Sequence, residues 1–208
     1  MELLGKIFGN PQRVKVMRLF LFNPKTAYSI DDVSQRSQIK KDQTKKELSQ
    51  LEQIGFLKKK NFKQKVLLPK TKKKPEGDVK TISCKGYLLN RNFELIAPLR
   101  NLVIDTELVS SKEMVRKLKD IGALKLVVLS GLFMRDDNRK LDILVVAEKV
   151  DAKKLKKAIE QIESEIGKEL SYAQFSQEEY EYRISMYDKL LRDVLENNHR
   201  ILYKKLPE

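Results

Sequence analysis

Apolar positions recur at helical spacing near the start of the chain and then change period. Between Pro11 and Phe22, Val14, Met17, Phe20 and Leu21 fall on one helical face. Asn10 is placed to cap this helix, and Pro11 suits its first position. Asn23-Pro24 ends it. A short second helix is predicted over 29–36, with Ser29 as cap and Asp31 and Asp32 in the first turn. A third is predicted over 41–54, with Thr44, Leu48 and Leu51 inward and Gly55 at the helix C-terminus. Lys40, at its cap position, has no side-chain acceptor to offer. Beyond Gly55 two strand-like stretches, 56–68 and 79–89, flank a segment in which Pro75 and Gly77 fit a type I turn. The expectation is a long β-hairpin.

The second half reads differently. Residues 93–108 are predicted as an apolar helix whose stripe is Ile96, Leu99, Leu102 and Val103; Pro98 is compatible only if the helix begins near it. Two uses of that stripe stay open. It packs on its own domain, or it pairs two chains, assisted by Leu3, Leu4, Ile7 and Phe8. A helix then runs from Ser110 to about Asp120, followed by strands at 124–130 and 141–148. A helix at 151–167 turns Leu155, Ile159, Ile162 and Ile166 inward, and a strand at 168–175 follows. Ser176 and Glu179 read as a capping box opening one long helix, with Tyr180, Ile184, Tyr187, Leu191 and Val194 on one face. Ile201-Leu202-Tyr203 is a last short strand. The whole is predicted as an α+β chain of two domains, 1–91 and 110–208, joined by a helical segment at 92–109.

Composition narrows the function classes. With 208 residues the chain is long enough for two modest domains. The single Cys84 excludes a disulfide framework, and Cys84 with the single His199 excludes a zinc site built from His and Cys of one chain. No apolar run approaches the roughly 18 residues that a membrane span needs. The start lacks the basic-then-apolar order of a signal peptide. The expectation is a cytoplasmic protein with no cofactor and no membrane partner. Charge is more informative. The formal net charge is +14, and residues 1–100 carry 23 Lys and Arg against 9 Asp and Glu, so they hold the whole excess. Residues 58–85 alone hold 11 Lys against Glu76 and Asp78. A basic module of this kind faces a polyanion.

Three helices followed by a hairpin is the winged helix-turn-helix order. Ser29 to Ile39 resembles the first helix and turn of that motif in the ArsR-like winged-helix regulators. Lys45-Lys46-Glu47-Leu48-Ser49-Gln50-Leu51-Glu52-Gln53-Ile54-Gly55-Phe56-Leu57 resembles the end of their recognition helix. The similarity covers about residues 10–90 and departs in a longer, more lysine-rich wing. In the second module, Ser130-Gly131-Leu132-Phe133 followed by Asp142-Ile143-Leu144-Val145-Val146 resembles the polymerase-beta-like minimal nucleotidyltransferases. The resemblance implies a phosphate-binding Gly-Ser and carboxylates that hold two metal ions. Against that pattern Gly-Ser is reversed to Ser130-Gly131, Lys140 replaces the first aspartate, Asp142 matches the second, and the strand 170–175 offers no carboxylate. Asp136 and Asp137, in the intervening loop, read as a solvated turn. Ser130, Gly131, Lys140 and Asp142 are therefore expected to form a degenerate nucleotide site with no catalytic residue and no metal, in which Lys140 and Asp142 share a strand face. The combination resembles a group of prokaryotic transcriptional regulators.

The resemblance implies a sequence-specific regulator that binds double-stranded DNA, as a homodimer joined through Ile96, Leu99, Leu102 and Val103. Its effector, a small molecule or a protein, is left open. With Leu48 and Leu51 inward, the outward candidates on the third helix are Lys41, Asp42, Gln43, Lys45, Lys46, Ser49 and Gln50, with Gln53 beyond them. Gln can read adenine edges, and Lys reaches guanine or phosphate. The wing candidates Lys60, Lys63, Lys70, Lys72, Lys73 and Lys74 are expected on phosphate or in the minor groove. Two alternatives remain: a nucleotidyltransferase with a nucleic-acid-targeting arm, and an RNA-binding module in which Phe62 and Tyr87 could stack on bases.

Overall fold

The structure is a computed structural model that describes residues 2–67, 79–104 and 109–206; the side chains of Glu2, of residues 65–67 and of Val79 are left aside. The chain falls into two compact units, 2–106 and 107–208. It is mixed α+β, and among the described residues no helix is long and apolar enough to cross a membrane.

The N-terminal unit contains α1 (Glu2–Ile7), α2 (Pro11–Phe22), α3 (Ile30–Ser37), α4 (Lys41–Gln53), β1 (Leu57–Leu67), β2 (Val79–Leu89) and α5 (Ile96–Ile104). Several helix boundaries have a local cause. Asn10 Oδ1 accepts the Gln12 N–H at 2.9 Å at the start of α2. Ser29 and Asp32 close a capping box at the start of α3. Gly55 takes φ +82° after α4, the left-handed conformation that ends a helix cheaply in glycine. Lys40 makes no side-chain cap. The core brings Val14, Met17, Phe20 and Leu21 of α2 together with Val33, Leu48, Leu51, Phe56 and Leu89.

β1 and β2 form an antiparallel hairpin in continuous register from Leu57 opposite Leu89 to Leu67 opposite Val79. Tyr28, just before α3, adds a one-residue third strand. Its N–H donates to Tyr87 O at 2.9 Å, and Tyr87 N–H donates to Tyr28 O at 2.8 Å. Gly86 permits that approach, since a Cβ there would lie 2.2 Å from Tyr28 O and 2.7 Å from Phe62 Cε1. The turn expected at Pro75–Gly77, with Lys70, Lys72, Lys73 and Lys74, lies outside the described residues.

The C-terminal unit contains α6 (Ser111–Lys119), β3 (Ala123–Leu129), a 3-10 turn (Gly131–Met134), β4 (Ile143–Glu148), α7 (Ala152–Ile166), β5 (Tyr172–Phe175), α8 (Gln177–Ser185), α9 (Lys189–Leu195) and β6 (Arg200–Lys204). Its sheet has the order β5-β4-β3-β6. β3 is antiparallel to β4 and β6, and β4 is parallel to β5 across the α7 crossover. Leu126, Val128, Leu144 and Val146 pack with Leu191 and Val194 of α9. Alternation turns Val127, Leu129, Ile143 and Val145, all buried, to the opposite face. Burial on both faces explains why β4 reads as a continuous apolar run.

Three expectations need correction. The segment 176–195 is two helices, because Tyr187 is left-handed (φ +54°) and Asp188 caps a new helix by accepting the N–H groups of Leu190 and Leu191. Ile184 and Tyr187 are accordingly exposed and do not belong to an inner face. The capping box at Ser176 is half formed. Ser176 Oγ accepts the Glu179 N–H, but the Glu179 carboxylate takes Arg183. The apolar stripe of α5 is also divided. Val103 is fully buried, and its carbonyl accepts Arg18 Nε of α2 at 3.0 Å. Val103 thus serves its own unit and has no surface for a second copy.

The Gly86 contact yields a stability prediction. Gly86→Ala should destabilise the chain by about 1–3 kcal/mol through overpacking against Tyr28 and Phe62. Lys85→Ala, next to it but exposed, should stay within about 0.5 kcal/mol. Urea denaturation midpoints of the two variants make the comparison, and equal midpoints would count against the close approach.

Candidate nucleic-acid interface

α4 is fixed by its inner face. Thr44, Glu47, Leu48 and Leu51 are buried. Glu47 is an acid in an apolar setting, only 4% exposed, and needs partners there. Arg13 Nε reaches Glu47 Oε2 at 2.8 Å and Asn10 Nδ2 reaches Oε1 at 2.7 Å, so both carboxylate oxygens are used by α2 and its cap. Arg13 Nη2 also donates to Gln50 Oε1. Gln12 Nε2 donates to Gln43 Oε1 at 3.0 Å. The start of α2 therefore holds α4 along most of its length.

What α4 turns outward follows from that anchorage. Lys41, Asp42, Gln43, Lys45, Lys46, Ser49 and Gln53 are exposed, and Gln50 is half-buried. Lys41 pairs with Asp31 at 2.5 Å, an exposed ion pair of little energetic weight. Gln43 and Gln50 are drawn toward Gln12 and Arg13, which leaves Asp42, Lys45, Lys46 and Ser49 as the open face. Lys58, Lys59, Lys60 and Lys63 of β1 are exposed. Lys59 meets Glu52 of α4 at 2.8 Å, and this hydrogen bond raises the lysine pKa above its ordinary value. The lysine strand is thereby joined to the end of α4. No acid interrupts 57–67 or 79–89.

The hairpin is also fixed to α3. Gln64 Nε2 donates to Asp32 Oδ1 at 2.9 Å. Burial pushes the Asp32 carboxyl up. Donation from the Ser29 hydroxyl, the Ser29 N–H and Gln64, with Arg36 nearby, outweighs it and holds the pKa below the ordinary value. Folding stability from this group is present above the ordinary carboxyl pKa and is lost as pH falls through the lowered one.

The second candidate site is closed by hydrogen bonds to backbone groups. Ser130, Gly131 and Asp142 do come together, but the side-chain polar atoms of Ser130 and Asp142 are bonded to neighbouring backbone groups. Ser130 is 1% exposed and its Oγ donates to Leu141 O at 2.9 Å. Asp142 Oδ1 accepts the Leu132 N–H at 2.7 Å, and Oδ2 accepts the Ser171 N–H at 2.9 Å. Gly131 has φ +48°, and a Cβ on it would lie 2.5 Å from Asp142 Oδ1. Lys140 is not part of this arrangement. Both Lys140 and Asp142 precede β4, so the expected shared strand face does not exist. Lys140 is exposed, with its backbone N–H on Asp193 Oδ2 at 3.2 Å. Asp136 and Asp137 are held by Arg139 and Lys168. Among the described residues no group of three or more His, Cys, Asp or Glu could hold a metal ion.

Of the positions considered for pairing two chains, Ile96 and Leu99 are half-buried. Leu102 is exposed, as are Leu3 and Ile7 of α1. Sequence reasoning passed over Asn10, Arg13 and Glu47 as a set. The available signal was Glu47 itself, a charge one residue before Leu48 on the inward face. Comparison with protein-family models, with curated proteins and with solved structures finds no match to this chain.

The Asp142 geometry gives a direct test. Asp142→Ala leaves two backbone N–H groups without their acceptor and should cost about 1–3 kcal/mol of stability. Lys140→Ala, at an exposed position, should cost less than about 0.5 kcal/mol. Thermal denaturation followed by circular dichroism separates them, and an Asp142→Ala variant as stable as the wild type would contradict the clamp.

Proposed function

We propose that this protein is a double-stranded DNA-binding transcriptional regulator of the winged helix-turn-helix kind. α4 enters the major groove, and the lysine-rich hairpin lies on phosphates or in the adjacent minor groove. The observation that carries this reading is the division of α4 into two faces. One is anchored by Leu48, Leu51 and the Arg13–Glu47 pair, and the other presents Asp42, Lys45, Lys46 and Ser49 beside the exposed lysines of β1. Lys45 and Lys46 can reach guanine or phosphate, and Ser49 is short enough to allow close approach to base edges. An acid-free basic hairpin beside such a helix supplies the sequence-independent part of the affinity.

In the same reading the protein is cytoplasmic and works as a homodimer, with Leu102 of α5 and Leu3 and Ile7 of α1 as the apolar positions left for a second copy. Two such units would sit about 34–36 Å apart on a two-fold site. The C-terminal unit, whose sequence resembles the minimal nucleotidyltransferases at Ser130-Gly131 and Asp142, transfers no nucleotides. In support, Asp142 gives both oxygens to backbone N–H groups, and Lys140 stands where the family places a ligand. That unit serves as a surface for a protein partner or an effector.

The experiment is duplex binding by fluorescence anisotropy across a salt series. A dimer neutralising about 6–10 phosphates should lose about 10³–10⁵ in affinity between 50 and 200 mM salt. Lys72, Lys73 and Lys74 replaced together by Ala should flatten the salt slope by about one unit for each lysine on a phosphate and leave sequence preference intact. Lys46→Ala and Ser49→Ala should change preference. Duplex binding that ignores salt, or no duplex binding at all, would overturn the proposal.

A further inference from the structure

Within the N-terminal unit, the α2–α3 loop, α3 and β1 line a groove of about 550 Å³. That size lies within the roughly 300–1,000 Å³ typical of small-ligand sites. Lys25, Arg36 and Lys60 line it, all exposed. Phe62, half-buried, and the Tyr28 ring supply aromatic lining; the Arg36 guanidinium lies 5.4 Å above the centre of Tyr28. Among the described residues, the one carboxylate lining the groove is Asp32. Its oxygens are occupied by the Ser29 hydroxyl at 2.6 Å, the Ser29 N–H at 2.9 Å and Gln64 Nε2 at 2.9 Å. Asp32 is thus committed to holding the hairpin on α3, and the cations around it outnumber it.

The lining differs from that of a solvated basic surface. Cations from three separate segments converge on one concavity. Phe62 is held there because Gly86 leaves room for its ring edge, 2.7 Å from where a Cβ would be. Three cations against one hydrogen-bonded carboxylate select an anion. A half-buried aromatic beside them selects an anion that carries a flat ring. Guanidinium and ammonium groups together suit phosphate oxygens.

We propose that this groove binds a phosphoester, with its phosphates among Lys25, Arg36 and Lys60 and its ring against Phe62: a nucleotide as ligand of the basic unit. The inference rests on the groove alone and not on the DNA reading. The shared chemistry is the phosphate, which a free nucleotide or the backbone of a bound duplex could supply. A duplex keeps its bases stacked, so only a free nucleotide uses Phe62.

Isothermal titration of the full-length chain with ATP, pyrophosphate and adenosine, in the absence of DNA, is the test. ATP and pyrophosphate should bind, and adenosine should bind at least tenfold more weakly than ATP. Lys25→Ala combined with Lys60→Ala should weaken both anions at least tenfold. Phe62→Leu should weaken ATP while sparing pyrophosphate, and Lys46→Ala should leave both unchanged. If neither anion binds, but Lys25→Ala lowers the salt slope of duplex binding by about one unit, the phosphate in the groove is that of DNA. Absence of both effects, or ATP binding indifferent to Lys25 and Lys60, would overturn the proposal.

Discussion

A single buried carboxylate determines what the N-terminal unit can present. Glu47 lies on the inner face of α4 among leucines, where an unpaired charge would be costly. Arg13 and Asn10 satisfy its two oxygens, and Asn10 also caps α2, so one residue fixes both the start of α2 and the position of α4. Breaking such a pair by removing one partner is far more damaging than never having it. With Leu48 and Leu51, the pair holds this face of α4 inward. Asp42, Lys45, Lys46 and Ser49 are outward as a consequence. The proposed reading of DNA depends on this rigidity, because base-edge contacts require side chains placed by a fixed scaffold.

The same logic operates in the C-terminal unit with a different outcome. Asp142 is also a carboxylate with two satisfied oxygens, but its donors are the backbone N–H groups of Leu132 and Ser171, which tie the loop after β3 and the segment before β5 to the start of β4. Ser130 and Gly131 complete the closure. Residues that resemble a phosphate and metal site are here used to hold loops together. Asp142 holds two backbone N–H groups and, among the described residues, has no cluster of further His, Cys, Asp or Glu around it for a metal ion, which underlies the proposal that this unit is not a transferase.

Much of the architecture was legible in the sequence because its signals were local. Asn10-Pro11, Ser29 with Asp32, and Ser110 announced helix starts, and Gly55 announced an end. The lysine-rich hairpin was visible as a change from helical to strand patterning. Nonlocal features were not legible. The break at Tyr187 was hidden because Ile184, Tyr187 and Leu191 keep helical spacing; what decides it is Asp188, whose side chain competes for the N–H groups of the next turn. The burial of Val103 depends on Arg18, 85 positions earlier, and the apolar stripe could not show which of its members faced α2. For the interface, exposure of Lys45, Lys46 and Ser49 followed from Leu48 and Leu51 pointing inward. The capture of Gln43 and Gln50 by Gln12 and Arg13 did not follow from any period. The groove beneath Lys25 and Lys60 joins three segments and has no sequence signature.

The central claim is that the outward face of α4 reads duplex DNA. Selection of bound duplexes from a random-sequence pool by the full-length protein tests it most directly. The account predicts enrichment of a defined two-fold symmetric site, with half-sites spaced by about one helical turn. Recovery of duplexes with no shared sequence after repeated rounds would contradict it.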